Sequence, residues 1–186
     1  KSHGGASLVE NHEAGYEAIA AQAMPVDAEL IAEPSPHFIH AILRERIVEH
    51  LFVGECLRRL WQLGITDVEV LRSEFDAGGY DLVMSRGKIV RHIQLKTMIN
   101  GARAGGVSIG LKLGETSSGC VIWIVVSSDL DLLSFLWFGG APGDPLPSLS
   151  EMKTTKHARA NAQGIKAERP GHRNVPKGKF KQLATI

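Results

Sequence analysis

Cys120–Ser127 reads Cys-Val-Ile-Trp-Ile-Val-Val-Ser, an almost unbroken apolar run dominated by β-branched residues. A run of that length and make-up is the kind of strand that is buried on both faces of a sheet. The rest of the chain therefore has to supply cover for two faces. Upstream, Ile39–Leu63 reads as one long helix, stopped by Gly64. Thr66–Arg72 reads as a strand and Asp76–Gly79 as a loop. Asp81–Ser85 and Ile89–Thr97 form a hairpin around Arg86-Gly87-Lys88. Asn100–Gly106 is a Gly-rich loop, and Val107–Leu113 fits either a strand or a short helix. Leu132–Phe138 reads as a further strand, Ala141–Pro147 as a linker, and Ser150–Gln163 as helical. This order predicts an α/β fold with a mixed sheet and helices packed on it.

The 186 residues suggest one domain plus tails, and an apolar share of 44% is enough for a core. Net charge is only +1, but it is unevenly spread. Residues 1–40 hold one lysine and six acids, residues 41–150 eleven basic and twelve acidic groups, and residues 151–186 nine basic groups and two acids. The organisation read from this is an acidic, Ala-rich arm over 1–37, a core over 38–140, and a C-terminal helix with a basic tail over 141–186. A short helix over Glu13–Ala23 fits the arm, ended by Pro25. The tail favours a polyanionic partner, with a solvated basic tail as the alternative. Cys56 and Cys120 sit in apolar stretches outside any Cys-x-x-Cys pair and read as reduced core residues of a cytoplasmic protein. The longest apolar run, Cys120–Val126, is far too short to span a membrane, and Lys1–Ser7 lacks an apolar signal core.

The candidate chemistry lies around the hairpin. Asp81 follows Gly78-Gly79-Tyr80 at the start of one strand, and Gln94 and Lys96 share a face of the next. An Asp in such a place is either a ligand or a turn residue closing a loop. Projected at 100° per residue, the helix groups Arg44, Glu55, Arg58, Arg59 and Gln62 on one side. Glu49 falls opposite, among Ile42, Val53, Cys56 and Leu60. A carboxylate on an apolar face needs compensation. Glu49 is therefore a metal ligand or a neighbour of a metal site, or else an edge residue that reaches water or pairs with Arg46. Asp81, Glu49 and the Gln94 amide offer the hard oxygens that Mg²⁺ prefers, and the Leu95 carbonyl adds another. Lys96 suits the orientation of a water or the stabilisation of charge on a phosphate.

The arrangement Glu49 … Asp81 … Gln94-Leu95-Lys96 resembles the PD-(D/E)XK nuclease superfamily over roughly residues 40–140. The resemblance implies a restriction-endonuclease-like α-β-β-β-α-β sandwich and a metal-dependent DNA endonuclease of restriction or repair type. It makes Asp81, Gln94, Lys96 and Glu49 the catalytic set, with Asp81, Gln94 and Glu49 holding Mg²⁺ or Mn²⁺. Enzymes of this kind often act as homodimers. Tyr80 stands where the superfamily has Pro, and Gln94 where it has Glu or Asp, which removes one negative charge. Glu74 or Asp76 in the adjacent loop is a candidate for that charge. Arg169, Arg173, Lys177, Lys179 and Lys181 are the expected contacts to DNA, with RNA left open. Phe180, Leu183 and Ile186 offer a different reading of the tail, as a segment packed on the core. The alternative function is an inactive nucleic-acid-binding module of the same fold, and a weaker one is a subunit whose tail docks an acidic protein.

Other motifs carry less. Gly101–Gly106 lacks the Gly-Lys-Ser/Thr of a phosphate-binding loop. The histidines show no metal-binding spacing, His92 reads as packing or surface, and Trp61, Trp123 and Trp137 read as packing.

Overall fold

Eight consecutive residues, Gly119–Val126, are buried without exception. This strand lies inside a six-stranded mixed sheet. In the computed structural model, which describes residues 39–75, 77–157, 160, 163–183 and 186, the first element is helix α1, Ala41–Gln62. It contains no proline and ends with Gly64 in the left-handed region (φ 71°), the conformation glycine adopts at little cost. Strands β1 (Glu69–Arg72), β2 (Leu82–Arg86) and β3 (Ile89–Ile99) follow as an antiparallel meander. Then come β4 (Gly106–Gly110), the short helix α2 (Leu111–Glu115), β5 (Gly119–Val126) and β6 (Leu132–Gly139). The C-terminal part adds β7 (Lys153–Lys156), β8 (Glu168–Pro176), a 3₁₀ turn (Lys177–Lys179) and β9 (Lys181–Leu183). His40–Ile186 form one compact unit. The expected acidic arm and its helix lie outside the described residues.

The main sheet runs β1-β2-β3-β5-β6-β9, with β5 parallel to β3 and the other neighbours antiparallel. Alternation along β5 divides its side chains between two cores. Cys120, Ile122, Ile124 and Val126 meet Val48 and Phe52 of α1. Val121, Trp123 and Val125 meet Leu113 of α2, together with Ile109 and Val175 of a second sheet, β4-β8-β7. One face of the main sheet is thus covered by α1, the other by α2 and the small sheet. The ambiguous stretch 107–113 is both things in turn: a strand to Gly110, then a helix from Leu111.

Three expectations need correction. The helix expected over 150–163 is not formed by the described residues there. Lys153–Lys156 is β7, in which β-branched Thr154 and Thr155 pair with β8. Residues 168–183 are not a trailing tail. Val175 is fully buried, Phe180 is 9% exposed between Trp123 and Phe138, and β9 closes the far edge of the main sheet. Leu183 and Ile186 pack on the α1-side core, so the packed-segment reading of the C-terminus holds. Trp61 is 74% exposed near the end of α1, whereas Trp123 is buried and Trp137 lies under Arg91 at 5.1 Å. Cys56 and Cys120 are both free thiols, and burial pushes each up to about 12. Among the described residues no helix is long and apolar enough to cross a membrane.

The packing of Phe180 yields a stability prediction. Its ring centroid sits 5.4 Å from those of both Trp123 and Phe138. Phe180→Ala is expected to cost about 3–4 kcal/mol in urea denaturation, as truncation of a buried aromatic does. A loss below about 1 kcal/mol, the range of a surface substitution, would mean that the C-terminal strands are not part of the core.

Candidate active site

The site is built where β2 stops accompanying β3. Strand β3 has eleven residues and β2 only five, so β2 pairs with Ile89–Ile93 and leaves the rest of that edge behind. Leu82 is the last β2 residue in register, opposite Ile93. Asp81 donates its own N–H to the same Ile93 carbonyl, at 2.9 Å. Two residues thus face one, as in a β-bulge, a device that ends pairing and re-aims a side chain. The Asp81 carbonyl accepts from Ser73 N–H at 2.9 Å, so its main chain is gripped from both neighbouring strands. Its carboxylate oxygen Oδ2 accepts from the Leu95 N–H at 2.6 Å. The side chain therefore replaces the backbone carbonyl that a longer β2 would have offered.

The preceding loop brings the chain to that point. Gly79 has φ 76°, and a Cβ there would meet Leu113 of α2 at 3.3 Å. Only glycine combines that left-handed backbone with so close an approach. Tyr80 lies against the His92 ring at 4.8 Å, and His92 Nδ1 is 2.9 Å from the Ser117 carbonyl oxygen. His92 does not line the site, in keeping with a packing role.

Beyond the bulge, a cavity of about 470 Å³ opens along the uncovered edge of β3. Asp81, Leu95, Lys96 and Thr97 line it, with Ile42, Glu45, Arg46, Val48 and Glu49 from α1 and Val107 and Ser108 from β4. Three of the four expected catalytic residues, Asp81, Lys96 and Glu49, therefore border one space. Gln94 does not line it. Alternation puts Gln94 on the Lys96 side of β3, where it is 6% exposed and its Oε1 has no hydrogen-bond partner. It sits between Ile93 and Leu95, the two residues whose backbone groups Asp81 holds.

Glu49 is buried at 7% exposure, as its helix projection predicts, and both of its oxygens are engaged. Arg46 Nη1 donates to Oε2 at 3.0 Å and Arg72 Nη1 to Oε1 at 2.6 Å. Arg72 Nη2 also lies 3.1 Å from His50 Nδ1. Two guanidinium groups thus compensate the buried charge, where sequence reasoning offered only Arg46. Arg72 was missed because it is 23 residues away. Glu45 was also missed, although it lies one turn before Glu49 and so on the same helix face. Glu55, by contrast, is an exposed partner of Arg58, which holds its carboxyl below the usual range. Glu74 does not line the cavity, and Asp76 lies outside the described residues.

No family model, no curated protein and no solved structure matches this chain. The site has to be read from its own chemistry. Among the described residues no group of three or more His, Cys, Asp or Glu is disposed to hold a metal ion. What is present is smaller: the Asp81 carboxylate at the cavity and, outside its lining, the Gln94 amide oxygen, buried with its hydrogen bonding unmet. An unmet buried acceptor costs about 1–3 kcal/mol, and a cation or a water would relieve it. The Leu95 carbonyl lies on the same strand edge as its N–H. In the cavity, a hard cation that keeps most of its water, as Mg²⁺ does, would meet the Asp81 carboxylate. Glu49 could join it only by giving up an arginine.

The expected DNA contacts lie on β8, on the 3₁₀ turn and on β9. Arg169 Nη2 lies 2.9 Å from His172 Nε2 on β8. Arg173 folds back onto the carbonyls of Pro170 and His172 at 2.7 and 3.1 Å. Lys177 and Lys179 are exposed on the 3₁₀ turn beside Gly105, and Lys181 sits on β9 opposite Trp137. None of the five lines the Asp81 cavity.

The role of Asp81 as acceptor for Leu95 can be separated from its charge. Asp81→Ala should cost about 1–3 kcal/mol, because it strands the Leu95 N–H. Asp81→Asn keeps an acceptor and should cost less than about 1 kcal/mol by the same reasoning. Amide hydrogen exchange gives the local readout: Leu95 protection lost in the alanine variant and kept in the asparagine variant. Equal exchange in both variants would remove the hydrogen bond from the account.

Proposed function

We propose that this chain is a divalent-metal-dependent nuclease that hydrolyses phosphodiester bonds in DNA, on a restriction-endonuclease-like fold. One observation carries the reading. Asp81 and Lys96, delivered by two adjacent strands, border a single cavity at the point where those strands separate. The element order supports it: α1, β1, β2 and β3 are followed by α2 and β5, as in an α-β-β-β-α-β core, with β4 inserted before α2.

Asp81 is the residue that would hold Mg²⁺ or Mn²⁺, with the Leu95 carbonyl as a second oxygen, while Gln94 lies outside the cavity lining. Bound there, the ion supplies a Lewis acid that eases ionisation of a water and draws charge from the phosphate. The protein's own part is positional and electrostatic. Asp81 is fixed through its backbone and by the Leu95 N–H, so its carboxylate cannot swing away as charge builds. Lys96 brings an ammonium group to the same space, suited to donate hydrogen bonds to phosphate oxygens or to orient the attacking water. The flanking layers, α1 and β4, wall the cavity and limit its access to bulk water.

A second reading has its own support. Gln94 carries no charge, and the charge of Glu49 is balanced by two arginines. That favours a nucleic-acid-binding module which keeps the fold without the chemistry.

Nicking of supercoiled plasmid in Mg²⁺ and in Mn²⁺ separates the two. The nuclease reading expects metal-dependent nicking that falls by about 10²-fold or more in Asp81→Asn and in Lys96→Met, the size of a lost catalytic group. Nicking that survives both substitutions removes the site from the mechanism. A wild-type chain that binds DNA but never nicks it in either metal is the binding module.

A further inference from the structure

Glu49 raises a problem that the nuclease reading alone does not solve. Burying a carboxylate costs several kcal/mol, and the chain pairs it with two guanidinium groups from different elements. Arg46 lies one turn before it on α1, and Arg72 ends β1. A carboxylate with both oxygens committed in this way is poorly placed to bind a cation. It is well placed to hold two arginines still.

The arginines are the outward part of the cluster. The side chain of Arg46 is 66% exposed and that of Arg72 37%, while that of Glu49 is at 8%. A guanidinium has five N–H donors in a rigid fork. Glu49 takes one from each arginine, and His50 lies against one more of Arg72. Donors therefore remain on both forks. Arg46 and Glu49 line the same cavity as Asp81 and Lys96, so the cluster adjoins the proposed reaction space. The trio of Glu49, Arg46 and Arg72 carries one net positive charge. Glu45, on the same wall, is offset by Arg44 at 3.7 Å.

We propose that Glu49 is a positioning residue, not a metal ligand, and that it fixes Arg46 and Arg72 as a two-guanidinium seat for a backbone phosphate of the bound nucleic acid. The proposal rests on the nucleic-acid reading above and assigns to these two residues a phosphate contact beside the cavity, which Arg46 lines and Arg72 does not. Arginine forks match phosphate oxygens in pairs, and forks fixed in advance lose less freedom on binding. The seat works without metal, because neither guanidinium needs a cation to engage a phosphate.

The test is DNA binding in EDTA, followed by fluorescence anisotropy of a short labelled duplex across a NaCl series, with Mn²⁺ binding measured separately by electron paramagnetic resonance. Arg46→Gln and Arg72→Gln should each weaken binding about five-fold and flatten the salt slope by about one unit, the signature of one lost phosphate contact. Glu49→Gln is the decisive variant. As a bystander, removing its negative charge would tighten DNA binding. As the residue that positions the arginines, its loss weakens binding, and Mn²⁺ affinity stays within about two-fold of wild type, as for any residue outside the ion's ligands. Loss of Mn²⁺ binding in Glu49→Gln overturns the proposal, and so does wild-type DNA binding and salt slope in both arginine variants. Arg46 is exposed enough that its variant folds even if the Glu49 variant does not. A wild-type chain that binds no DNA at low salt removes both this seat and the nucleic-acid reading. Wild-type binding with unaffected arginine variants removes the seat alone.

Discussion

The hydrogen bond from the Leu95 N–H to the Asp81 carboxylate settles what happens where a short strand abandons a long one. A strand edge inside a folded chain cannot leave its N–H groups unmet, and β3 extends well past the end of β2. Extending β2 would have paired the whole edge and filled the space beside it. A bulge closed by a side chain satisfies the first N–H and then lets the strands part. The cavity is the consequence of that parting. The proposed catalytic carboxylate is the very group that permits it.

The two layers around the sheet then decide what the cavity contains. On one side α1 contributes Glu45, Arg46 and Glu49, and on the other β4 contributes Val107 and Ser108. The α1 wall is electrostatically complex because one of its carboxylates is buried. Its charge is compensated locally by Arg46 and, across to the first strand, by Arg72. That pairing ties α1 to the edge of the sheet. It also turns an acidic wall into one with arginine heads reaching solvent. The small sheet behind β4 depends on residues from the far end of the chain, since Val175 and Phe180 complete the core around Trp123. The basic C-terminal segment is thus first a structural element. Its exposed lysines include residues on β7, on the 3₁₀ turn and on β9.

Much of this is legible in the sequence where local pattern and tertiary role coincide. The unbroken apolar run of β5 marks a strand with no solvent face, and the spacing of α1 marks Glu49 as buried. The two-residue turn at Gly87 and Lys88 marks the β2–β3 hairpin, whose register follows from it. What local pattern cannot show is pairing at a distance. Arg72 looks like the polar end of an edge strand until α1 packs beside it. β8 carries Pro170, Gly171 and Pro176 among basic residues, so its inward Val175 gives no visible alternation. Thr154 and Thr155 favour a strand once β8 is there to pair with them, and nothing nearby announces β8. Gln94 is the instructive case: the same-face relation with Lys96 is read correctly, yet burial draws its amide away from the cavity that Lys96 lines.

The central claim is that Asp81, held at the bulge, is the carboxylate around which metal-assisted chemistry is organised. Crystals of the wild-type chain soaked in Mn²⁺ and measured at the manganese absorption edge test it most directly. The account predicts an anomalous peak in the cavity within direct coordination distance of the Asp81 carboxylate, with the Glu49 ion pairs to Arg46 and Arg72 intact. A cavity without a peak at millimolar Mn²⁺, or a peak on Glu49 with Arg72 displaced, would contradict it.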